Sequence, residues 1–147
     1  MQLLRKIVGF GAPIQDLKHI YILFIISLLE QSALVWHSSL SLQNTTDIER
    51  VQKSAVKLIL GDNFKNYKSA LLKLDMQPLS DRREELCLNF AKRCIRNPKT
   101  RSMFPLKTKE HEMNTRKGEK YHVDHAVHER FRKSAIIHMQ NLLNQQI

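Results

Sequence analysis

The chain has 147 residues, a net charge of +10, and only four glycines and four prolines. A chain of this length can bury about two-thirds of its unfolded surface, enough for one domain with a hydrophobic core. Few turn-forming residues and many Leu, Lys, Glu, Gln and Ala exclude a typical sheet protein and favour an all-α fold, a small multi-helix bundle. The sequence contains no phosphate-binding loop, nucleophile elbow or adjacent aspartate pair, which argues against a self-contained enzyme.

Positive charge is concentrated in the C-terminal part of the chain. Residues 91–147 carry 13 Lys and Arg against 5 Asp and Glu, whereas residues 1–90 carry 11 against 9. This density is typical of a surface for polyanions, with nucleic acid ahead of an anionic membrane. A solvated basic tail explains the same composition equally well.

The cysteines and the most apolar segment both indicate an intracellular protein. Cys87 and Cys94 lie seven residues apart on a predicted helix, hence about 10 Å apart and too far for a disulfide. We therefore expect them reduced and buried, as in an intracellular protein. The apolar run at residues 20–29 is about half as long as a membrane span requires, and no signal peptide precedes it. It predicts a core helix and no membrane partner.

The first two helices are predicted from apolar spacing. Residues 1–10 form a short amphipathic helix that Gly9 and Gly11 bring to an end. A second helix over residues 14–36 is apolar nearly all round in its middle, which is typical of an element surrounded by protein. It ends at Trp36, which we expect to be a core residue.

The clearest helix is predicted over residues 46–61. Thr46 and Glu49 form a capping box at its start, and Gly61 supplies a left-handed residue at its end. Its predicted buried stripe consists of Ile48, Val51, Ala55, Leu58 and Ile59. Its opposite, basic face consists of Arg50, Lys53 and Lys57, for which a solvated surface is the usual explanation. Arg50 has the further alternative of pairing with Asp47 or Glu49.

The remainder divides into helices and an irregular segment. Helices are predicted over residues 67–74 and 81–96, the second capped by Ser80 and burying Phe90. The domain organisation follows as a helical domain at 1–96, a charged linker at 97–121 and a basic, partly irregular helical tail at 122–147. Within the linker, a hydrophobic clip is expected from Met103, Phe104 and Leu106. The last helix is predicted to be capped by Ser134.

A cluster of histidines is a candidate metal-binding site in the sequence. His122, His125 and His128 recur at spacings of three, and two His so spaced can ligate one metal. The cysteine spacing of a zinc ribbon or knuckle does not accompany them, so solvated histidines are the preferred interpretation. We expect no cofactor.

Three segments in order resemble one region of a known family. They read IYILFIISLLEQSALVWHSSL, IERVQKSAVKLILG and YKSALLKLDMQPLSDRREELCLNFAKRC. Together they resemble the part that follows the palm in reverse transcriptases of non-LTR retrotransposons, the jockey-like elements. The matching residues of the first two segments are Leu29, Glu30, Val35, Trp36, His37, Ile48, Glu49, Arg50, Val51, Gln52, Lys53, Leu60 and Gly61. Those of the third are Leu74, Pro78, Leu79, Asp81, Arg82, Arg83, Leu86, Cys87, Leu88, Phe90 and Ala91.

This resemblance implies a helical thumb with its C-terminal extension, which would grip the backbone of a template–primer duplex. The residues that it offers for phosphate contacts are Arg50, Lys53, Lys57, Arg82 and Arg83, and the core residues are Trp36, Val51, Ile59 and Phe90. The paired Asp of the palm and the endonuclease are absent from the chain, so we expect a fragment of an RNA-directed DNA polymerase that is not catalytic alone. Its partners would be nucleic acid and the missing palm, and the parent machinery implies the nucleus.

The apolar run at residues 20–29 has a second consequence. Without a palm to pack on, part of it should be exposed, which predicts self-association. The alternative function is therefore a small helical interaction module that docks a partner through this exposed apolar helix.

Overall fold

The structure is a computed structural model that describes residues 1–107 and 120–146, and its fold is all-α. The only β-type pairing in these ranges is a single antiparallel bridge between Leu106 and Tyr121. The helices are α1 (Gln2–Gly9), α2 (Ile14–Ile20), α3 (Ser27–Leu29), α4 (Ala33–Trp36), α5 (Leu42–Leu60), α6 (Tyr67–Lys73), α7 (Leu79–Arg96), α8 (Glu129–Arg132) and α9 (Ala135–Gln145). A π-helical stretch occupies Tyr21–Ile26, and short 3₁₀ turns occupy His37–Ser39, Gly61–Asn63 and Arg101–Met103.

The chain divides into two compact units. Unit 1 comprises Met1–Gln31 and Leu40–Arg82, and unit 2 comprises Ser32–Ser39 and Arg83–Ile147. This division differs from the predicted boundaries at residues 96 and 121, because most of α7 packs with the C-terminal helices. Of the predicted linker at 97–121, residues 108–119 lie outside the described residues.

Unit 1 has a core built from α1, α2, the π-helical stretch, α5 and α6. Side chains from these elements, with the first residue of α7, form one apolar cluster: Leu4, Leu17, Tyr21, Ile26, Ala55, Val56, Ile59, Leu60, Ala70, Leu71, Leu74 and Leu79. Ile59, predicted as a core residue, is therefore buried here. Cys87 and Cys94, the two expected buried cysteines, belong instead to unit 2.

The helix predicted over residues 14–36 is not continuous. Its apolar middle winds as a π-helix, and the Ser27 hydroxyl donates to the Leu23 carbonyl at 2.6 Å in the following turn. Regular structure then breaks at residues 30–32, where Ser32 has a φ of +55°, a conformation that L-residues rarely adopt. The prediction failed because the spacing of apolar residues shows which side chains share a face. It gives no sign of a single residue whose φ and ψ leave the helical region.

Helix α5 begins earlier than predicted, and its buried face only partly overlaps the predicted stripe, of which Ala55 and Ile59 are buried. Ser41, not Thr46, is the N-cap, and its hydroxyl accepts from the Asn44 N–H at 3.1 Å. Thr46 lies inside the helix, and its hydroxyl donates to the Leu42 carbonyl. The buried residues are Gln52, Ala55, Val56, Ile59 and Leu60, so the buried face is rotated away from Ile48, Val51 and Leu58, which are half-buried. Gly61, with a φ of +51°, ends the helix as predicted.

Unit 2 has a smaller core between α7 and α9. Its buried members are Cys87, Ala91, Cys94, Phe104, Met139 and Leu143, and the half-buried Phe90 packs against them. Phe104 confirms one member of the predicted hydrophobic clip, whereas Met103 and Leu106 remain largely exposed. Helix α9 starts directly after Ser134, as predicted, but the Ser134 hydroxyl makes no capping hydrogen bond. The helix buries Gln140, whose amide donates to the Met103 carbonyl at 3.0 Å.

Candidate nucleic-acid interface

The basic face of α5 keeps two cations available for an anionic ligand. Lys53 and Lys57 are exposed, and neither forms an ion pair within residues 1–107 and 120–146. They are four residues apart on one helix, so they share a face. Arg50 lies on the same side but pairs with Asp47 at 2.7 Å, which is the alternative that the sequence left open. Both partners are at least half exposed, so this pair contributes little stability.

Arg82 is held by a carboxylate of unit 1. Its Nε and Nη2 donate to the two oxygens of Glu30 at 2.7 and 3.0 Å, a bidentate arrangement. The Glu30 side chain is only 12% exposed, whereas that of Arg82 is 38% exposed. The geometry is that of a structural ion pair, and a phosphate could reach Arg82 only by competing with Glu30.

Arg83, the next residue, was predicted to contact a phosphate. Its side chain is completely buried in unit 2 and cannot do so. Its Nε donates to His37 Nδ1 at 3.3 Å, and its guanidinium carbon lies 5.7 Å from the centre of the Trp36 ring. A guanidinium over an indole face is a cation–π contact, which is strongest when desolvated. Arg83 therefore has a structural position against Trp36, itself half-buried, and the prediction of a phosphate ligand is corrected.

The Trp36–His37 pair belongs to the same buried cluster. The imidazoles of His37 and His138 meet edge to face, with ring centres 5.3 Å apart. Burial and the neighbouring charge of Arg83 lower the pKa of His37 from 6.5 to about 4. Burial also lowers the pKa of His138, against the opposing influence of Glu84. Both imidazoles are neutral at pH 7, which makes them packing and hydrogen-bonding groups beside a buried cation.

Unit 1 holds a second buried polar cluster, which periodicity did not predict. Oε1 of Glu49 accepts hydrogen bonds from the Tyr67 hydroxyl at 2.5 Å and from the Leu79 N–H at 3.2 Å. The amide of Gln52 donates to the Gln77 carbonyl at 3.0 Å, which turns its own oxygen toward the Tyr67 hydroxyl at 2.9 Å. Glu49 thus links three parts of unit 1. It does not cap its own helix, although the sequence predicted a capping box with Thr46.

The three C-terminal histidines do not form a metal site in the structure. The described residues contain no group of three or more His, Cys, Asp or Glu that could hold a metal ion. Residues 122–126 are not helical, and His128 only precedes the short helix α8, so the three-residue spacing does not bring the imidazoles together.

Further exposed cations, which no sequence motif had indicated as a site, lie near the end of α7. They are Lys92, Arg93 and Arg96, and all three belong to unit 2. Lys92 and Arg96 are four residues apart on a helix whose range was predicted, so their shared face could have been derived from spacing.

An apolar surface remains exposed in unit 1, as the sequence predicted. Leu23, Phe24 and Leu28 are 66%, 58% and 71% exposed, and they follow one another along the π-helical stretch and α3. Within the described residues, no single helix is long and apolar enough to cross a membrane, and only Ile14–Leu29 and Ala33–Ser39, taken together as a bent pair, meet the length and composition of a span.

No protein-family model, curated protein or solved structure matches this chain. The likeness to reverse transcriptases of non-LTR retrotransposons therefore depends on the three quoted segments alone.

Proposed function

We propose that the chain is a fragment of a non-LTR retrotransposon reverse transcriptase, the thumb region with its extension, and that it binds the backbone of a template–primer duplex. In this proposal the palm of the parent polymerase carries the catalytic aspartates, so the fragment binds without polymerising. Its place of work would be the nucleus, where the target DNA of such elements lies.

The exposed pair Lys53 and Lys57 supports this proposal most directly. Of the five cations that the resemblance offers, these two lie exposed on one helical face without an ion pair in the described ranges. Lysine ammonium groups bind phosphates as point charges and do not need a fixed bidentate geometry. Two such charges one turn apart suit successive phosphates of a strand and read no bases.

Binding of this kind has a measurable salt dependence. Each phosphate neutralised releases condensed counterions, and the slope of log K against log salt changes by about 0.9 for each contact on duplex DNA. We expect the double charge reversal Lys53→Glu/Lys57→Glu to reduce the magnitude of this slope by about 2 and to weaken binding at low salt. Fluorescence anisotropy with a labelled duplex over a salt series would measure both quantities.

A matched variant controls for net charge. Lys65→Glu/Lys68→Glu changes the charge of the same unit equally, at exposed residues on and before α6. The proposal requires a smaller change of slope in this variant than in the α5 variant. Equal slopes in the two variants, or no duplex binding at low salt, would contradict a phosphate-binding face on α5.

The exposed apolar surface of Leu23, Phe24 and Leu28 favours the second candidate function, a helical interaction module. An apolar patch of this kind is typical of a surface that contacts another protein. The same charge-reversal variant separates the two candidates. A defined complex or homodimer that survives Lys53→Glu/Lys57→Glu in sedimentation, together with absent duplex binding by the wild-type chain, would favour the interaction module.

A further inference from the structure

Unit 2 contains a cavity of about 350 Å³ with a basic and aromatic lining. Its walls come from α7, from the segment that precedes α8 and from the end of α9. The lining residues are Lys92, Ile95, Arg96, Lys120, Tyr121, Leu143 and Gln146. Among the described lining residues, three are cations and none is a carboxylate, so this part of the cavity combines a positive rim with an aromatic and aliphatic wall.

The aromatic wall is fixed by backbone hydrogen bonds. The N–H of Tyr121 donates to the Asn144 side chain at 2.9 Å, and the Asn144 amide donates back to the Tyr121 carbonyl at 3.0 Å. The bridge between Leu106 and Tyr121 holds the same residue from its other side. Because these bonds use main-chain atoms of Tyr121, its position does not depend on its own ring.

The cationic rim is also partly fixed. Lys92 Nζ donates to Gln146 Oε1 at 2.9 Å, which connects α7 to the end of α9 across the cavity. Lys120 Nζ lies 5.9 Å from the centre of the Tyr121 ring. Arg96 is exposed and forms no ion pair in the described part of the chain, so its guanidinium is open to a ligand.

The electrostatics of the cavity favour an anion, although the cavity lies near the C-terminal end of a helix. A helix C-terminus carries a partial charge of about −0.5, which repels anions. Three full positive charges around the cavity outweigh that contribution. The volume lies near the lower limit of small-molecule sites, about 300–1,000 Å³, so the ligand must be small.

We propose that this cavity binds one nucleotide, with the phosphate against Arg96 and Lys92 and the base against Tyr121 and Leu143. Guanidinium groups match phosphate oxygens in a bidentate geometry, and aromatic rings stack on any base. The nucleotide is either free or one unit of a single strand, since both present the same phosphate and base. This inference goes beyond duplex binding through α5, and it does not depend on that proposal.

Isothermal titration of the full chain with AMP, inorganic phosphate and adenosine tests both halves of the site. AMP should bind at least about tenfold more tightly than either part, because only AMP engages the cations and the ring together. Binding of AMP no tighter than that of inorganic phosphate would overturn the role of the aromatic wall. A short oligothymidylate distinguishes the sources: tighter binding than that of TMP indicates a strand, and equal or weaker binding indicates a free nucleotide.

Two exposed arginines of α7, three residues apart, supply the matched variants. Arg96→Ala should weaken AMP binding about tenfold, the usual loss for one charged hydrogen bond, whereas Arg93→Ala, which removes the same charge outside the cavity, should change it less than about twofold. Equal losses of AMP affinity in the two variants would mean that general electrostatic attraction explains the effect, and the proposed site would be wrong.

The ring is tested separately with Tyr121→Leu and Tyr121→Phe. The first should weaken AMP binding and leave phosphate binding unchanged, while the second should preserve both. Unchanged duplex binding in the Lys53→Glu/Lys57→Glu variant, together with intact AMP binding, would refute only the proposed function.

Discussion

Among the described residues, each unit encloses a polar cluster around one charged side chain, and the two charges are opposite. Unit 1 places the Glu49 carboxylate against the hydroxyl of Tyr67, while unit 2 places the Arg83 guanidinium against Trp36 and His37. A buried charge is costly unless nearby groups stabilise it, and a cluster built around one charge discourages a second of the same sign. The comparison indicates that the two units should lose stability at opposite ends of the pH scale.

The largest effect is expected from removing Arg83, the buried cation of unit 2. Arg83→Ala deletes a completely buried side chain and should lower the free energy of unfolding by about 3 kcal/mol or more, since the space cannot be refilled. Arg82→Ala is the matched control, and loss of its half-exposed ion pair with Glu30 should cost about 1 kcal/mol. Denaturant unfolding followed by Trp36 fluorescence and by circular dichroism would measure both.

A volume-conserving variant separates packing from charge at this position. Arg83→Met fills much of the space without a cation and should cost less than Arg83→Ala. If Arg82→Ala proves as harmful as Arg83→Ala, the contrast between the buried and the half-exposed arginine is wrong.

Local signals predicted element positions well and burial less well. Helices α6 and α7 begin and end within two residues of their predicted limits, because apolar spacing determines them locally. The predicted N-cap of α7 is wrong, since the helix begins at Leu79 and Ser80 lies inside it, with its hydroxyl donating to the Asp81 carboxylate. The burial of Arg83 depends on His37, 46 residues away, and that of Gln52 on Gln77, 25 residues away. A periodicity argument assigns polar side chains to solvent, so it cannot detect polar residues whose partners are distant in sequence.

The same reason explains the mixed outcome at the proposed interface. Spacing placed Arg50, Lys53 and Lys57 on one face of α5, and the structure leaves the two lysines exposed. Spacing could not distinguish Arg82 from Arg83, although one pairs with Glu30 and the other is enclosed. Tertiary contacts decide which cations a ligand can reach.

The second expected effect is an acid transition of unit 2. Unfolded histidines take up a proton near pH 6.5, whereas His37 resists protonation until about pH 4, because burial and Arg83 oppose a second charge. The free energy of unfolding should therefore fall as the pH drops from about 6.5 to 4, by on the order of 1–2 kcal/mol after allowance for solvent screening. His138 adds to the effect, while Glu84 moderates it.

The tryptophan makes this transition observable in unit 2, since Trp36 is the single tryptophan of the chain. Stability at a series of pH values should show the loss in the wild type and a smaller loss in His37→Asn, whose amide oxygen can still accept from Arg83 but does not titrate. An identical pH profile in this variant would rule out His37 as the cause.

Unit 1 should show the reverse dependence on pH. Burial and the Glu49 carboxylate raise the pKa of Tyr21 and Tyr67 above the usual value of 10. Both rings therefore favour the protonated form when folded, and their contribution is complete below pH 10 and lost as the pH rises further. The alkaline limit of unit 1 and the acid limit of unit 2 follow from the sign of the charge that each cluster buries.

The smallest expected effects come from removing single hydroxyls in unit 1, and their signs should differ. Tyr67→Phe deletes the donor to Glu49 and should lower the free energy of unfolding by about 1 kcal/mol, the usual net value of a hydrogen bond, since the ring is only half-buried. The hydroxyl of Tyr21 is buried and has no hydrogen-bond partner among the described residues, so Tyr21→Phe should be neutral or stabilising. Denaturant unfolding of the two variants measures this contrast between rings of the same core. A clear loss of stability in Tyr21→Phe would mean that a bound water connects its hydroxyl to Glu49, whose second oxygen is likewise buried without a partner in the described ranges.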